Sequence, residues 1–392
     1  MISRLGPHES KCQLKNPKSA DRGRQAVAVF LVAFLVSQAG LFLLVEFGPV
    51  GLRDPEYAAK ERRLRCIRER TPSRPIVVAF GSSRLAGGLR PDVLPADERA
   101  LFNFGLVGAA PVTQRLAIER LMRAGLRPSA VVLEFWPPYL LDFNNVREFD
   151  RLDPNRLNAA DLSAISGYAT DPTGLVWQLR TRRLAATFAH RFVLLNLLAH
   201  CWLPFEQRQA FRWRPVDEWG WLPSAESVPG DGARAARLAQ ARQYYEPFLT
   251  ADRLDPIGEQ AFADLLDFCA DARIPAVLLW LPESSEFRSW YGPHTESLVQ
   301  RRIEEWSRRP GVRGIDARAR QVAARLPDGF HLDRLGATEF THRLAVALQS
   351  SSNCRDSREG ETTASCESKR TGLSVHAGGQ PWTRCCVISD IP

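Results

Sequence analysis

Residues 26–45 are free of charge and almost wholly apolar, and twenty residues suffice to cross the ~30 Å hydrocarbon core of a bilayer as one helix. The pattern then changes. Residues 48–74 are polar with helical spacing and read as a stalk. Beyond residue 75, short apolar runs rich in β-branched side chains alternate with amphipathic stretches. Residues 76–80, 130–135, 276–281 and 312–315 read as central parallel strands, with 100–103 as a further short strand. Residues 112–124 and 258–272 read as helices between them, and 337–348 as the final helix. This alternation predicts an α/β three-layer α/β/α sandwich with a mainly parallel sheet over residues 75–348. Residues 140–242 interrupt the rhythm and read as a mostly helical insertion after a strand's carboxyl end, where such folds place ligand sites: a lid, a substrate wall, a surface resting on the membrane, or a subdomain burying its own aromatics. From residue 349 to 392 the composition is polar and aperiodic, as expected of a disordered tail.

Charge gives the apolar run a direction. Arg4, Lys11, Lys15, Lys18, Arg22 and Arg24 precede it, against Glu9 and Asp21. The positive-inside rule makes residues 1–25 a basic cytoplasmic segment and 26–47 an uncleaved single-pass anchor, with the rest outside the cytoplasm. Ser37-Gln38-Ala39 also resembles a signal cleavage site, but the apolar run continues past it. The net charge of +8 is spread over many arginines rather than gathered in a basic-aromatic stripe, which argues against nucleic acid as a partner. No cysteine forms a CxxC pair or has a histidine at ligand spacing, so neither a metal site nor a cofactor is implied. Cys201 and Cys269 read as small buried side chains.

Two short segments carry candidate chemistry. Ile76-Val-Val-Ala-Phe-Gly81-Ser82-Ser83-Arg84 is a buried strand entering a tight turn, which would present a hydroxyl above a sheet edge. Asp328-Gly329-Phe330-His331 sets a carboxylate and an imidazole three residues apart before the last helix. A hydroxyl, a base and an acid are the minimum set for nucleophilic acyl transfer. Between them lies Asn103-Phe104-Gly105-Leu106-Val107-Gly108, a strand end leading into a helix.

In order and spacing these blocks resemble the SGNH (GDSL-like) hydrolase superfamily, and more narrowly its membrane-anchored bacterial branch of DltD-like and alginate O-acetylation proteins. The resemblance covers residues 75–348. It implies Ser83 as nucleophile, His331 as general base and Asp328 as its orienting acid, with the N–H groups of Ser83 and Gly105 forming an oxyanion hole. Asp333 is a weaker substitute for Asp328. The third block departs from the family: where Gly-x-Asn-Asp is expected, the strand ends Leu133-Glu134-Phe135-Trp136-Pro137-Pro138, without the asparagine that would be another oxyanion donor. Glu134 is read as packing near the centre or binding a backbone loop, and Asn144 or Asn145 as reaching in from the next loop. Arg84, Glu134, Asn144 and Trp221 are the substrate-binding candidates.

The resemblance and the topology together imply a serine esterase or O-acyltransferase at the bacterial inner membrane. It would face the periplasm or cell exterior and act on an envelope glycan or related acyl ester, with a membrane-bound protein as acyl donor. Two other readings stand beside it: a non-catalytic anchored scaffold for envelope assembly, and a glycan-binding module built from Trp213, Trp219 and Trp221. The segment containing Glu283, Glu286, Arg288, Trp290 and Tyr291 follows another predicted strand end and is read as a sugar-contacting rim or a plain loop.

Overall fold

The apolar runs pair into one five-stranded sheet in a computed structural model that describes residues 17–95, 100–142, 148, 152–208, 211, 213–223, 230–320 and 325–361. Strands β1 (Ile76–Gly81), β2 (Ala100–Gly105), β3 (Ala130–Glu134), β4 (Ala276–Trp280) and β5 (Val312–Asp316) are all parallel, in the order β2-β1-β3-β4-β5. Every residue of β1 is buried, which is why it reads as a continuous apolar run rather than an alternating one. The expected α/β fold is therefore present. The order matters for function: the chain leaves β1 for β2 on one side and reaches β3 on the other, so the topological switch lies at the carboxyl ends of β1 and β3.

Several helices begin where a side chain takes up free N–H groups. Helix α1 (Pro17–Phe47) holds the apolar run, and its segment Asp21–Phe47 is long and apolar enough to cross a membrane. Helix α2 (Pro55–Arg70) is capped by Asp54, which accepts from Tyr57 N–H. Helix α3 (Ser83–Gly88) follows β1 directly. Helix α4 (Pro111–Arg123) follows β2, and the Glu148 carboxylate accepts from the N–H groups of Ala110, Val112 and Thr113 at its start. Between β3 and β4 the described chain is helical: α5 (Ala159–Ile165), α6 (Pro172–Leu184), α7 (Ala186–Ala189), α8 (Arg191–Ala199), α9 (Phe205–Arg208), α10 (Asp231–Leu249) and α11 (Pro256–Asp271). Helices α12 (Ser285–Arg288) and α13 (Pro293–Ser307) precede β5, and α14 (Arg334–Glu361) follows it.

Residues 48–74 are not a stalk. Tyr57, Leu64 and Ile67 of α2 are buried in the main hydrophobic cluster together with Phe104, Ile118 and Leu121. The polar side chains of α2 mislead because two of them are buried as well: Lys60 donates to the carbonyls of Asn103 (3.3 Å) and Gly220 (2.8 Å), and Glu56 accepts from Val107 N–H. Burial alone would discharge Lys60, and although Glu56 opposes this, its pKa falls to about 7. An ionic clamp fastens the same region. Arg120 of α4 donates to Asp54 at 2.8 Å and to Asp161 at 2.7 and 3.2 Å, while Arg156 reaches Asp54 at 2.7 Å.

Cys269 is buried as expected, with a thiol that burial pushes up to about 12, but Cys201 is exposed. The final helix runs on to Glu361 with no proline to stop it, past the expected end at 348; residues 362–392 lie outside the described ones. The chain divides into two compact units, Met1–Arg343, which holds the sheet, and Leu344–Pro392, whose described part is the helix as far as Glu361.

Candidate active site

The turn after β1 sets the hydroxyl. Ser82 is extended and caps α3, its Oγ accepting from Arg84 N–H at 3.2 Å, so Ser83 is the first residue of that helix. A first-turn N–H has no acceptor within its own helix, so the Ser83 amide has no intrahelical partner, and the residue is half-buried. Both glycines of the neighbouring strand ends are required by close approach. A Cβ at Gly81 would collide with the Glu134 side chain, and one at Gly105 would stand 2.5 Å from Ala86 N.

The loop before α14 brings the other two groups. Ser83 Oγ lies 3.0 Å from His331 Nε2, and His331 Nδ1 lies 2.7 Å from Asp328 Oδ2. The remaining Asp328 oxygen accepts from the N–H groups of Phe330 (3.2 Å) and His331 (2.8 Å), so the carboxylate fixes both the loop and the ring. With Nδ1 donating to Asp328, Nε2 is the acceptor for the Ser83 hydroxyl. Burial acts to raise the pKa of Asp328, but the imidazole and the two N–H groups outweigh it and hold it below its ordinary value. The side chains of His331 and Asp328 are 34% and 25% exposed, so the row opens to solvent. Asp333 is not part of it: its carboxylate accepts from Gly336 N–H at 2.7 Å and caps α14. Among the described residues no group of three or more His, Cys, Asp or Glu side chains is arranged to hold a metal ion.

Several expected site residues have other duties. Gly105 was expected to supply an oxyanion donor, but its N–H is engaged by Asn103 Oδ1 at 2.9 Å; it is a packing glycine between β2 and α3. Arg84 was expected to touch substrate, yet it is 2% exposed. Its guanidinium donates to the carbonyls of Phe330 (3.1 Å), Leu281 (3.3 Å) and Pro282 (3.1 Å). The residue after the nucleophile thus grips the residue before the base, across 246 positions of chain. Glu134, another expected substrate contact, is also buried and accepts from Ser82 N–H beneath the turn. Burial raises its pKa even though Arg84, 3.7 Å away, and Ser82 oppose the shift.

Trp221 is buried rather than open to a ligand. Its indole N–H donates to Gly87 O at 2.8 Å, and Leu222 N–H donates to Ala86 O at 2.9 Å, so this segment props α3 from outside. Trp219 is half-buried against the core and Trp213 is half-buried, so the three indoles make no open sugar-binding face. Asn144 and Asn145 lie outside the described residues. The loop after β4 is mostly interior: Glu283, Trp290 and Tyr291 are buried, and Glu283 accepts from Trp280 Nε1 and Tyr291 Oη, both at 3.2 Å.

Two residues near the site escaped the sequence reading. Phe330 supplies the carbonyl that Arg84 holds, and its ring stacks on Trp136 at 5.6 Å. Trp136 also lies 4.9 Å from the Arg84 guanidinium, with an indole N–H that has no hydrogen-bond partner among the described residues. The signal for Trp136 was the aromatic pair that follows β3, and Phe330 lies inside the Asp328–His331 motif.

No protein-family model matches this chain, and no curated protein matches it. Among solved structures it is similar to a provisionally assigned acylhydrolase from Bacteroides fragilis, 11% identical over 73% of this chain and 94% of that one, with a TM-score of 0.33. So distant a likeness supports no conclusion about chemistry, which rests on the geometry alone.

Proposed function

We propose that this chain is a serine esterase or O-acyltransferase of SGNH type that works through an acyl-enzyme. It is anchored by α1 in a bacterial inner membrane and acts on an ester of an envelope glycan outside the cytoplasm. One observation carries the chemistry: the hydrogen-bonded row Ser83–His331–Asp328, assembled at the carboxyl end of β1 beside the topological switch of the sheet. The basic residues before the apolar run support the orientation.

In the first half-reaction Ser83 Oγ attacks the ester carbonyl carbon and His331 Nε2 takes its proton. Asp328 holds the imidazole in the required tautomer and stabilises the imidazolium that forms. The Ser83 N–H is the donor for the oxyanion. On collapse of the tetrahedral intermediate, His331 returns the proton to the leaving alcohol, and the acyl group stays on Ser83. In the second half-reaction His331 deprotonates water or a glycan hydroxyl, which attacks the acyl carbon; the bond to Ser83 Oγ breaks, and His331 returns the proton to Ser83. A membrane-bound acyl donor protein fits the transferase version.

The test is turnover of p-nitrophenyl acetate by the full chain in detergent, with and without an oligosaccharide acceptor. Wild type releases nitrophenolate and Ser83→Ala does not; equal rates in the two proteins would refute the assignment. Acceleration by the acceptor separates transfer from hydrolysis. The scaffold reading is favoured by one specific observation: the Gly105 N–H is engaged and no asparagine follows β3, which removes two of the family's donors. Each missing donor costs about 3 kcal/mol of transition-state stabilisation. A folded wild type without turnover would favour that reading.

A further inference from the structure

In the insertion between β3 and β4, α5 and α6 bury Ile165, Leu175 and Leu179 in the usual way, but residues 188–205 leave several large apolar side chains exposed while burying polar ones. Just before and within α8, His190 and Asn196 are buried, and Asn196 Oδ1 is bonded by His200 (2.9 Å) and Arg214 (3.3 Å). On the outside, Leu198 is 82% exposed, Trp202 72% and Phe205 75%, with Phe188 and Trp177 exposed as well. The Arg191 guanidinium lies over the rings of Phe188 and Phe192 at 3.9 and 4.3 Å. A water-facing helix has the opposite polarity.

A second, independent observation says what covers this face. The last turns of α1 pack against the same insertion. Gln38 of α1 is buried; its amide donates to Thr187 Oγ1 at 2.6 Å and accepts from Thr187 N–H at 3.1 Å. Leu41, Phe42, Val45 and Glu46 continue this covered stripe, while residues 21–37 are exposed all round. Gln38 precedes Glu46, the first charge after the apolar run, by eight residues, or about 12 Å at the α-helical rise. With residues 26–45 filling a hydrocarbon core of about 30 Å, Thr187 sits well inside the outer half of the bilayer. The two polar side chains of the run are satisfied by protein, as lipid requires: Gln38 by Thr187, and Ser37 by the carbonyl of Phe34 at 2.7 Å.

We infer that residues 172–208 form a second membrane element, a helical wedge seated beside α1 in the outer leaflet, whose occupant is lipid. It does not cross the bilayer; the helix Arg191–Trp202 is too short for that. Trp177, Phe188, Leu198, Trp202 and Phe205 contact acyl chains and the interface. The domain is thereby held against the surface instead of swinging on a tether, and the substrates that reach Ser83 are those presented at the membrane. This inference rests on α1 spanning the membrane, so its test must separate the two.

Helix α1 contains no tryptophan, so quenching by lipid reads the folded domain and not the anchor. The full chain is reconstituted in phosphatidylcholine vesicles, with and without phosphatidylcholine brominated near the top of its acyl chains. Flotation after an alkaline carbonate wash reports the anchor. Bromolipid quenching of tryptophan emission reports the wedge. The expected result is a floating protein with a lipid-quenched component that is lost in the Trp177→Phe/Trp202→Phe variant. Leu198→Trp, at a side chain that touches little of the fold, adds a new quenched component. Failure to float overturns the anchor and the wedge together. Flotation with equal quenching in wild type and double variant, or an unquenched Leu198→Trp, as when a second copy or another protein covers the face, overturns the wedge and leaves the anchor standing.

Discussion

Beside α2, the arginines and carboxylates of the clamp meet at 2.7 to 3.2 Å, and Arg120 reaches Asp54 and Asp161 at once. Beneath Ser83, Arg84 stands 3.7 Å from Glu134 and 3.6 Å from Glu283. All these side chains are largely buried, yet the balance of forces differs. In the clamp, burial raises the pKa of Asp54 and Asp161, but their arginines overcome it and both fall below the ordinary value. Under the nucleophile, burial wins and Glu134 and Glu283 are raised despite Arg84. Arg84 Nη1, Glu134 Oε1 and Glu283 Oε2 also lack hydrogen-bond partners among the described residues. The shortest contacts made by Arg84 are with backbone carbonyls, not with the carboxylates. The lesson is one of purpose: the clamp fastens elements to each other, whereas Arg84 positions two loops and the glutamates offset its charge.

Substitutions that treat the two groups alike should sharpen that contrast. Arg120→Met leaves Asp54 and Asp161 buried with much of their compensation gone, and it is expected to lower stability by about 3–5 kcal/mol. The loss is read by denaturant unfolding, with reactivity per folded molecule unchanged. Arg84→Met reverses the emphasis. Its glutamates can take up protons, so the fold loses less, but the His331 loop is freed from the nucleophile turn. Reactivity at Ser83 is expected to drop on the order of 10²-fold. Equal stability losses in the two variants, with Ser83 equally reactive, would erase the distinction.

Glu134 provides a finer comparison. Glu134→Ala removes the acceptor of Ser82 N–H and is expected to cost about 1–3 kcal/mol, while Glu134→Gln keeps an acceptor and costs less than ~1 kcal/mol. Unfolding of the two variants side by side checks this.

The smallest effect is in the pH dependence. Asp54 and Asp161, lowered in the fold, contribute stability that is present above their ordinary value of 3.8 and is lost as pH falls through the folded value below it. Glu134 and Glu283 act in the opposite sense. Their folded forms keep a proton above the ordinary 4.5, so stability declines as pH rises from there through the raised folded value. Asp54→Asn should flatten the acid limb of the stability profile, and Glu134→Gln the decline above 4.5.

What could be read from the sequence follows the same division. Strands β1, β3 and β4 were legible because burial on both faces leaves apolar runs, whereas β5, at the sheet edge, buries only Ile315 and was marked by a shorter run. The Asp328–His331 pair was legible because it is local, and Ser83 because it follows a strand directly. Residues that act through backbone groups far along the chain were not. Lys60 looks like a surface lysine until the carbonyls of Asn103 and Gly220 are seen at its Nζ, which is why α2 read as a stalk. Gly105 has the residue type of an oxyanion donor, and only the Asn103 side chain on its N–H shows otherwise. Arg84 and Trp221 read as ligand contacts because nothing in their spacing reveals the carbonyls of Phe330 and Gly87 that hold them.

The central claim is that His331 activates Ser83. The most direct measurement is mass spectrometry of the full chain after exposure to a fluorophosphonate probe, on wild type and His331→Ala side by side. A single adduct on Ser83 in wild type, lost in the variant while the fold is retained, is the predicted result. A folded wild type that takes no label, or a variant that labels as fast as wild type, would contradict it.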